Sequence, residues 1–141
     1  MHHLWAASTL VLALCVSSAT PSAGQQDTQP KARKYATLGQ NYPNPFNPDT
    51  FIPFTIDDCN SVGGQRVVSL RVYNVLSQLV SVPELKGASR PLLNLKLSCG
   101  EYLGYWNGRM LKGRRKAAPG VYLYELVVDG QRTARKMFVA R

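Results

Sequence analysis

Histidine is nearly missing from this chain of 141 residues: both copies, His2 and His3, stand at its front. The rest has no imidazole for a Ser-His-Asp triad, a Cys-His pair or a zinc site. Cysteine is scarce too, with Cys15, Cys59 and Cys99 making three. Acidic residues number eight and are scattered without the spacing of a calcium-binding EF-hand loop. No apolar run reaches the roughly 18 residues that span a bilayer. A G-x-S-x-G elbow, a P-loop and a dinucleotide fingerprint are all lacking. These gaps exclude most hydrolytic, metal and nucleotide chemistry, and a non-enzymatic protein with no cofactor is expected.

What the chain does have is positive charge. Its 17 Lys and Arg all follow residue 30 and give a formal net charge of +9. That balance points either to an anionic partner, such as lipopolysaccharide or a glycan, or to simple solubility of an exported protein. Hydrophobic residues at 45% argue against wholesale disorder.

Leu4 to Val16 is a short apolar run followed by the small residues of SSATPSAG, as a signal peptidase requires. We expect residues 1–24 to be a cleavable signal peptide, with no transmembrane span left afterwards. Export implies an oxidising compartment, where Cys59 and Cys99 are the pair left to form a disulfide. Closing a loop of that length stabilises by ~4 kcal/mol on the chain-entropy account.

Residues 25–37 are polar, basic and aperiodic, and read as a linker. Leu38 to Thr50 carries Pro43, Pro45 and Pro48, which fix φ and remove three backbone donors. This segment is expected to be an extended, turning strap that Tyr42 and Phe46 anchor to a core. The remainder alternates with the period of strands. Ile52, Phe54 and Ile56 share a face, and Pro53 marks an edge strand. Val68, Leu70 and Val72 share the next face. A short strand over Leu79–Val82 and one with Leu93, Leu95 and Leu97 inward follow. Tyr102, Gly104 and Trp106 form another face. Tyr122, Tyr124, Leu126 and Val128 line the next, and Asp129-Gly130 is a hairpin signal. Met137 and Val139 face inward on the last strand. About seven short strands bounded by turns predict an all-β antiparallel sandwich over 38–141.

Asp57 and Asp58 are adjacent, so on an extended strand they diverge and form no acid–base pair. Arg109 to Lys116 holds five basic residues in eight. It reads as a solvated loop able to meet phosphates, but without the interleaved aromatics of a single-strand platform, so no specific nucleic acid is expected. Trp106, Tyr105, Tyr122 and Tyr124 suit a core better than a sugar platform.

Leu38-Gly39-Gln40-Asn41-Tyr42-Pro43-Asn44-Pro45-Phe46-Asn47-Pro48 closely resembles the opening signature of type A C-terminal sorting domains of the type IX secretion system. Later markers are similar in order: Val72-Tyr73-Asn74, Gly100, Trp106-Asn107-Gly108, Gly120-Val121-Tyr122-Leu123-Tyr124 and the terminal Arg135 to Arg141. The resemblance covers roughly 38–141. It implies an Ig-like sandwich, related to that of the flagellar hook-capping protein, which folds in the periplasm. It also implies recognition by the outer-membrane translocon, a sorting peptidase, and release or surface attachment to anionic lipopolysaccharide. By motif position the recognition element is Lys136, Met137, Phe138, Val139, Ala140 and Arg141. Asn41, Pro43, Asn44, Pro45, Phe46, Asn47, Pro48, Trp106, Gly108, Gly120 and Tyr122 carry the family pattern. Departures are Asn74 and Asn107 for Asp, Ser77 for a turn glycine, Met110 near another Asp, and the two cysteines. Only about a dozen residues separate the signal from Leu38, where the family carries a long cargo. The domain as its own product, a gene fragment and a redeployed binding module for an anionic glycan or protein are three readings of that spacing.

Overall fold

The computed structural model describes residues 34–141; the expected signal peptide, and linker residues 25–33, lie outside them. Among the described residues ten strands follow in order: β1 (Ala36–Leu38), β2 (Thr50–Ile56), β3 (Gln65–Tyr73), β4 (Leu79–Ser81), β5 (Glu84–Leu85), β6 (Arg90–Pro91), β7 (Leu95–Ser98), β8 (Gly100–Trp106), β9 (Gly120–Val128) and β10 (Gln131–Val139). They form two antiparallel five-stranded sheets, one ordered β1-β2-β8-β5-β6 and the other β10-β9-β3-β4 with β7 also paired to β3. The protein is therefore an all-β sandwich, as the alternation predicts.

The core is made of the inward positions of both sheets. Ile52, Phe54, Ile56 and Trp106 come from the first sheet, and Val68, Leu70, Val72, Tyr122, Tyr124, Leu126, Val128 and Met137 from the second. The same residues form the inward faces read from the sequence, because burying one face of a pleat imposes period two. At Gly104 the sheets come so close that a Cβ would lie 2.6 Å from Leu70 Cδ2. A disulfide joins Cys59, after β2, to Cys99, before β8, with Cα atoms 5.7 Å apart.

Three expectations are corrected. Pro53 does not lie on an edge, since β2 has β1 on one side and β8 on the other. β1 ends at Leu38, so the nitrogen that cannot donate meets Gly39 just past the end of that strand, where Gly39 N–H still donates to Pro53 O at 2.8 Å. Ala36 and Thr37 are not linker but part of β1, in register with Ile56 and Thr55. Leu93 is not inward either: it is exposed, and Leu92 is the buried residue. Asn94 has a left-handed φ of 52° that breaks the alternation, and its N–H donates to Ser69 Oγ at 2.9 Å. Asp57 and Asp58 lie just past the end of β2, a polar strand end, with Asp58 at φ 54°.

Those two aspartates turn toward Arg66, which is 1% exposed. Its guanidinium donates to the carbonyls of Asp57 and Asp58 and pairs with the carboxylate of Asp129 at 2.7 Å. The Tyr35 ring lies 3.7 Å from its central carbon. No motif marks this buried cation, but the alternation does, since Arg66 shares the inward face with Val68 and Leu70.

Candidate functional site

β10 is the end strand of its sheet and pairs only with β9. Alternate residues of such a strand present their backbone N–H and C=O outward, as a template for another strand. Here the proline-rich strap lies along that template. Lys136 O accepts from Gln40 Nε2 at 3.1 Å. Phe138 N–H donates to Asn44 Oδ1 at 2.9 Å, and Phe138 O accepts from Phe46 N–H at 3.0 Å. Ala140 N–H donates to Phe46 O at 2.9 Å, and Arg141 O accepts from Asn47 Nδ2 at 3.1 Å. Arg135 Nε reaches back to Leu38 O at 2.8 Å.

The strap can hold this position because its own polar groups are satisfied inward. Asn41, 2% exposed, donates through Nδ2 to Thr50 Oγ1 at 3.1 Å and to Pro43 O at 3.3 Å. Its N–H donates to the Tyr124 hydroxyl at 3.0 Å, which in turn donates to Gly39 O at 2.7 Å. Gly39 O faces Pro53, which has no N–H to offer, so a side chain from the opposite sheet supplies the missing donor. Burial, the largest influence, raises the Tyr124 hydroxyl above its ordinary value, against the Asn41 donor and the Arg135 charge, which lower it.

Phe46, 1% exposed, packs edge-on against Trp106 at 5.4 Å, and Trp106 meets Tyr122 in the same way at 5.8 Å. Trp106 Nε1 donates to Arg109 O at 2.9 Å, and Tyr122 Oη to Ala118 O at 2.9 Å. Gly108 has a φ of 74°, and a Cβ there would lie 2.2 Å from Pro48 O. Only glycine lets the strap close over this turn. Gly120, at φ 143°, opens β9 beside it. Pro43, Pro45 and Pro48 sit on the exposed side of the strap.

The strap thus meets Trp106, Gly108 and Tyr122 in one corner with the terminal strand, whereas the marker Gly100 lies at the other end of β8, in register with Ile56. Of the six terminal residues, Met137 is fully buried, Val139 and Ala140 are half-buried, and Lys136, Phe138 and Arg141 are exposed. Phe138 is in register with Val121, so an apolar pair faces outward beside the Lys136 cation.

Gln40, Asn44, Tyr124 and Arg135 make the clamp; all four lie within the quoted motif segments, but the sequence reading gives them no role in holding the terminal strand. The signal for them is chemical: amides between prolines are the donors and acceptors that such a strap otherwise lacks. Of the aromatic residues assigned to the core, Trp106, Tyr122 and Tyr124 lie there, but Tyr105 does not. It faces outward beside Phe51, and its hydroxyl donates to Asp49 Oδ2 at 3.0 Å. Asn74 and Asn107 act as turn acceptors, Asn74 Oδ1 from the N–H groups of Leu76 and Gln78, Asn107 Oδ1 from that of Arg109. An amide oxygen makes the bonds a carboxylate would make there. Ser77 has a left-handed φ of 59°, the geometry that suits glycine.

No protein-family model, curated protein or solved structure matches this chain.

Proposed function

We propose that this protein is an exported, non-enzymatic sorting module whose terminal strand is read by a type IX outer-membrane translocon. Its route is through the periplasm to the cell surface or the medium. A sorting peptidase and anionic lipopolysaccharide are the further partners that the sequence resemblance implies. The observation that carries the proposal is the clamp: the signature strap and the terminal strand form one hydrogen-bonded unit. A label of this kind needs a fixed shape and no chemistry of its own. Because the strap already occupies the backbone edge, the reader meets the side chains of Lys136, Phe138 and Arg141 first.

Deleting residues 136–141 also removes the strap's partners, so substitutions at exposed positions make the cleaner test. Lys136→Glu with Phe138→Ser, expressed in a type IX-competent host, should fold with an unchanged far-ultraviolet spectrum yet accumulate in the periplasm. Wild-type surface delivery of that folded double variant would end the proposal.

A further inference from the structure

The end of the sandwich that holds the strap corner carries a second surface beside it. The β3–β4 turn, Asn74 to Gln78, holds Val75 and Leu76 out at 70% and 74% exposure. Leu79, which follows it, is 46% exposed. The turn is braced: Asn74 Oδ1 accepts from Leu76 N–H and Gln78 N–H at 3.0 Å each, and Asn74 N–H donates to Gln78 O at 3.1 Å. Both apolar side chains are therefore presented to water by a defined backbone.

The loop from Arg109 to Lys116, with its five cations, lies beside this turn. Leu111 N–H donates to Val80 O at 2.8 Å, and Leu111 is itself 55% exposed. A hollow of about 380 Å³ between the two loops is lined by Asn74, Gln78, Leu79, Met110, Lys112 and Arg115. The loop is braced as well, by Met110 N–H donating to Arg115 O at 2.8 Å and Arg109 Nη1 to Arg114 O at 3.0 Å. Charge is segregated along β3. Asp57, Asp58 and Asp129 gather around Arg66 at its start, and Lys112 and Arg115 line the hollow beside the turn at its finish. Glu84 is the carboxylate sharing a hollow with Arg109 and Arg114.

We infer that this tip docks on the surface of an anionic lipid bilayer, its apolar side chains entering the headgroup boundary and its cations meeting the phosphates. Charge complementarity selects an anionic surface. Four exposed apolar side chains among the cations select a bilayer over a free polyanion, which would engage the cations and leave the leucines in water. Each Lys or Arg near such a surface raises partitioning roughly fivefold. The inference does not depend on the sorting proposal.

Co-sedimentation of the full chain with phosphatidylcholine vesicles, plain or with about a third phosphatidylglycerol, tests it. The apolar run Leu4–Val16 is common to all variants, so differences between them report the tip. Arg114→Ala/Arg115→Ala/Lys116→Ala should lose roughly 100-fold on the anionic vesicles, and high salt should act in the same direction. Val75→Ser/Leu76→Ser/Leu111→Ser should lose about tenfold on those vesicles while retaining binding to soluble dextran sulfate. All six positions are exposed, and circular dichroism confirms that both variants fold. Equal binding to plain and anionic vesicles would overturn the inference. So would vesicle binding by the serine variant at wild-type strength, which would mark the loop as a site for a free anionic glycan.

Discussion

Replacing Tyr124 by Phe removes one oxygen atom and tests the clamp at its base. The ring stays, so packing against the 0% exposed site is preserved. The N–H of Asn41 and the carbonyl of Gly39 both lose their partner. An unsatisfied buried polar group costs ~1–3 kcal/mol. Asn41 is fully enclosed and Gly39 half-buried, so the pair should cost about 3 kcal/mol. For a domain of this size that is a fall in Tm of about 12–20 °C. Urea unfolding should show a lower midpoint with an unchanged m-value. Hydrogen exchange should locate the damage: the amides of Phe138 and Ala140, bonded to Asn44 and Phe46, should exchange faster than those paired with β9. Alkaline titration gives a second readout. Burial raises the folded hydroxyl's pKa above the unfolded value near 10, so its contribution is complete below pH ~10 and is lost as pH climbs through the raised value. The Phe variant should lack that alkaline component. A loss under ~0.5 kcal/mol, with unaltered exchange at Phe138, would refute the view that Tyr124 holds the strap.

Cys59→Ser/Cys99→Ser opens a crosslink with a sequence separation of 40, and should cost ~4 kcal/mol in thermal or urea unfolding relative to the oxidised wild-type protein. Arg66→Ala should destabilise by about 3 kcal/mol, because Asp129 and the carbonyls of Asp57 and Asp58 lose a buried donor, whereas removing charge on both sides with Arg66→Met/Asp129→Asn should recover part of the loss in a double-mutant cycle.

The architecture was legible wherever one face of a strand is buried. The runs through Ile52, Val68 and Tyr122 each state the core by period two, and the turns between them are marked by Gly, Asn and Pro. Legibility failed where a single residue changes the backbone's course or a remote partner decides the outcome. Asn94 shifts the alternation between Leu92 and Leu95, and the only local sign of it is that asparagine tolerates a positive φ. Pro53 reads as an edge because its missing donor is local information; that Gly39 and Tyr124 resolve the deficit is not. Tyr35 to Thr37 reads as the tail of a polar, aperiodic linker until Arg66 and β2 supply its contacts. The strap was recognisable as rigid and extended. Its position along β10 was not, since the two are joined across 94 residues of sequence.

That separation has a kinetic consequence. A chain made from its front end produces the gripping segment 94 residues before the gripped strand, so the clamp cannot close until β10 has emerged. Pairings this distant also slow the search for the native state. Until closure, the socket for Phe46 and the rim of β9 stay open to chaperones and proteases. The clamp thus acts as a late seal: only a copy in which β10 is present and paired with β9 can shut it.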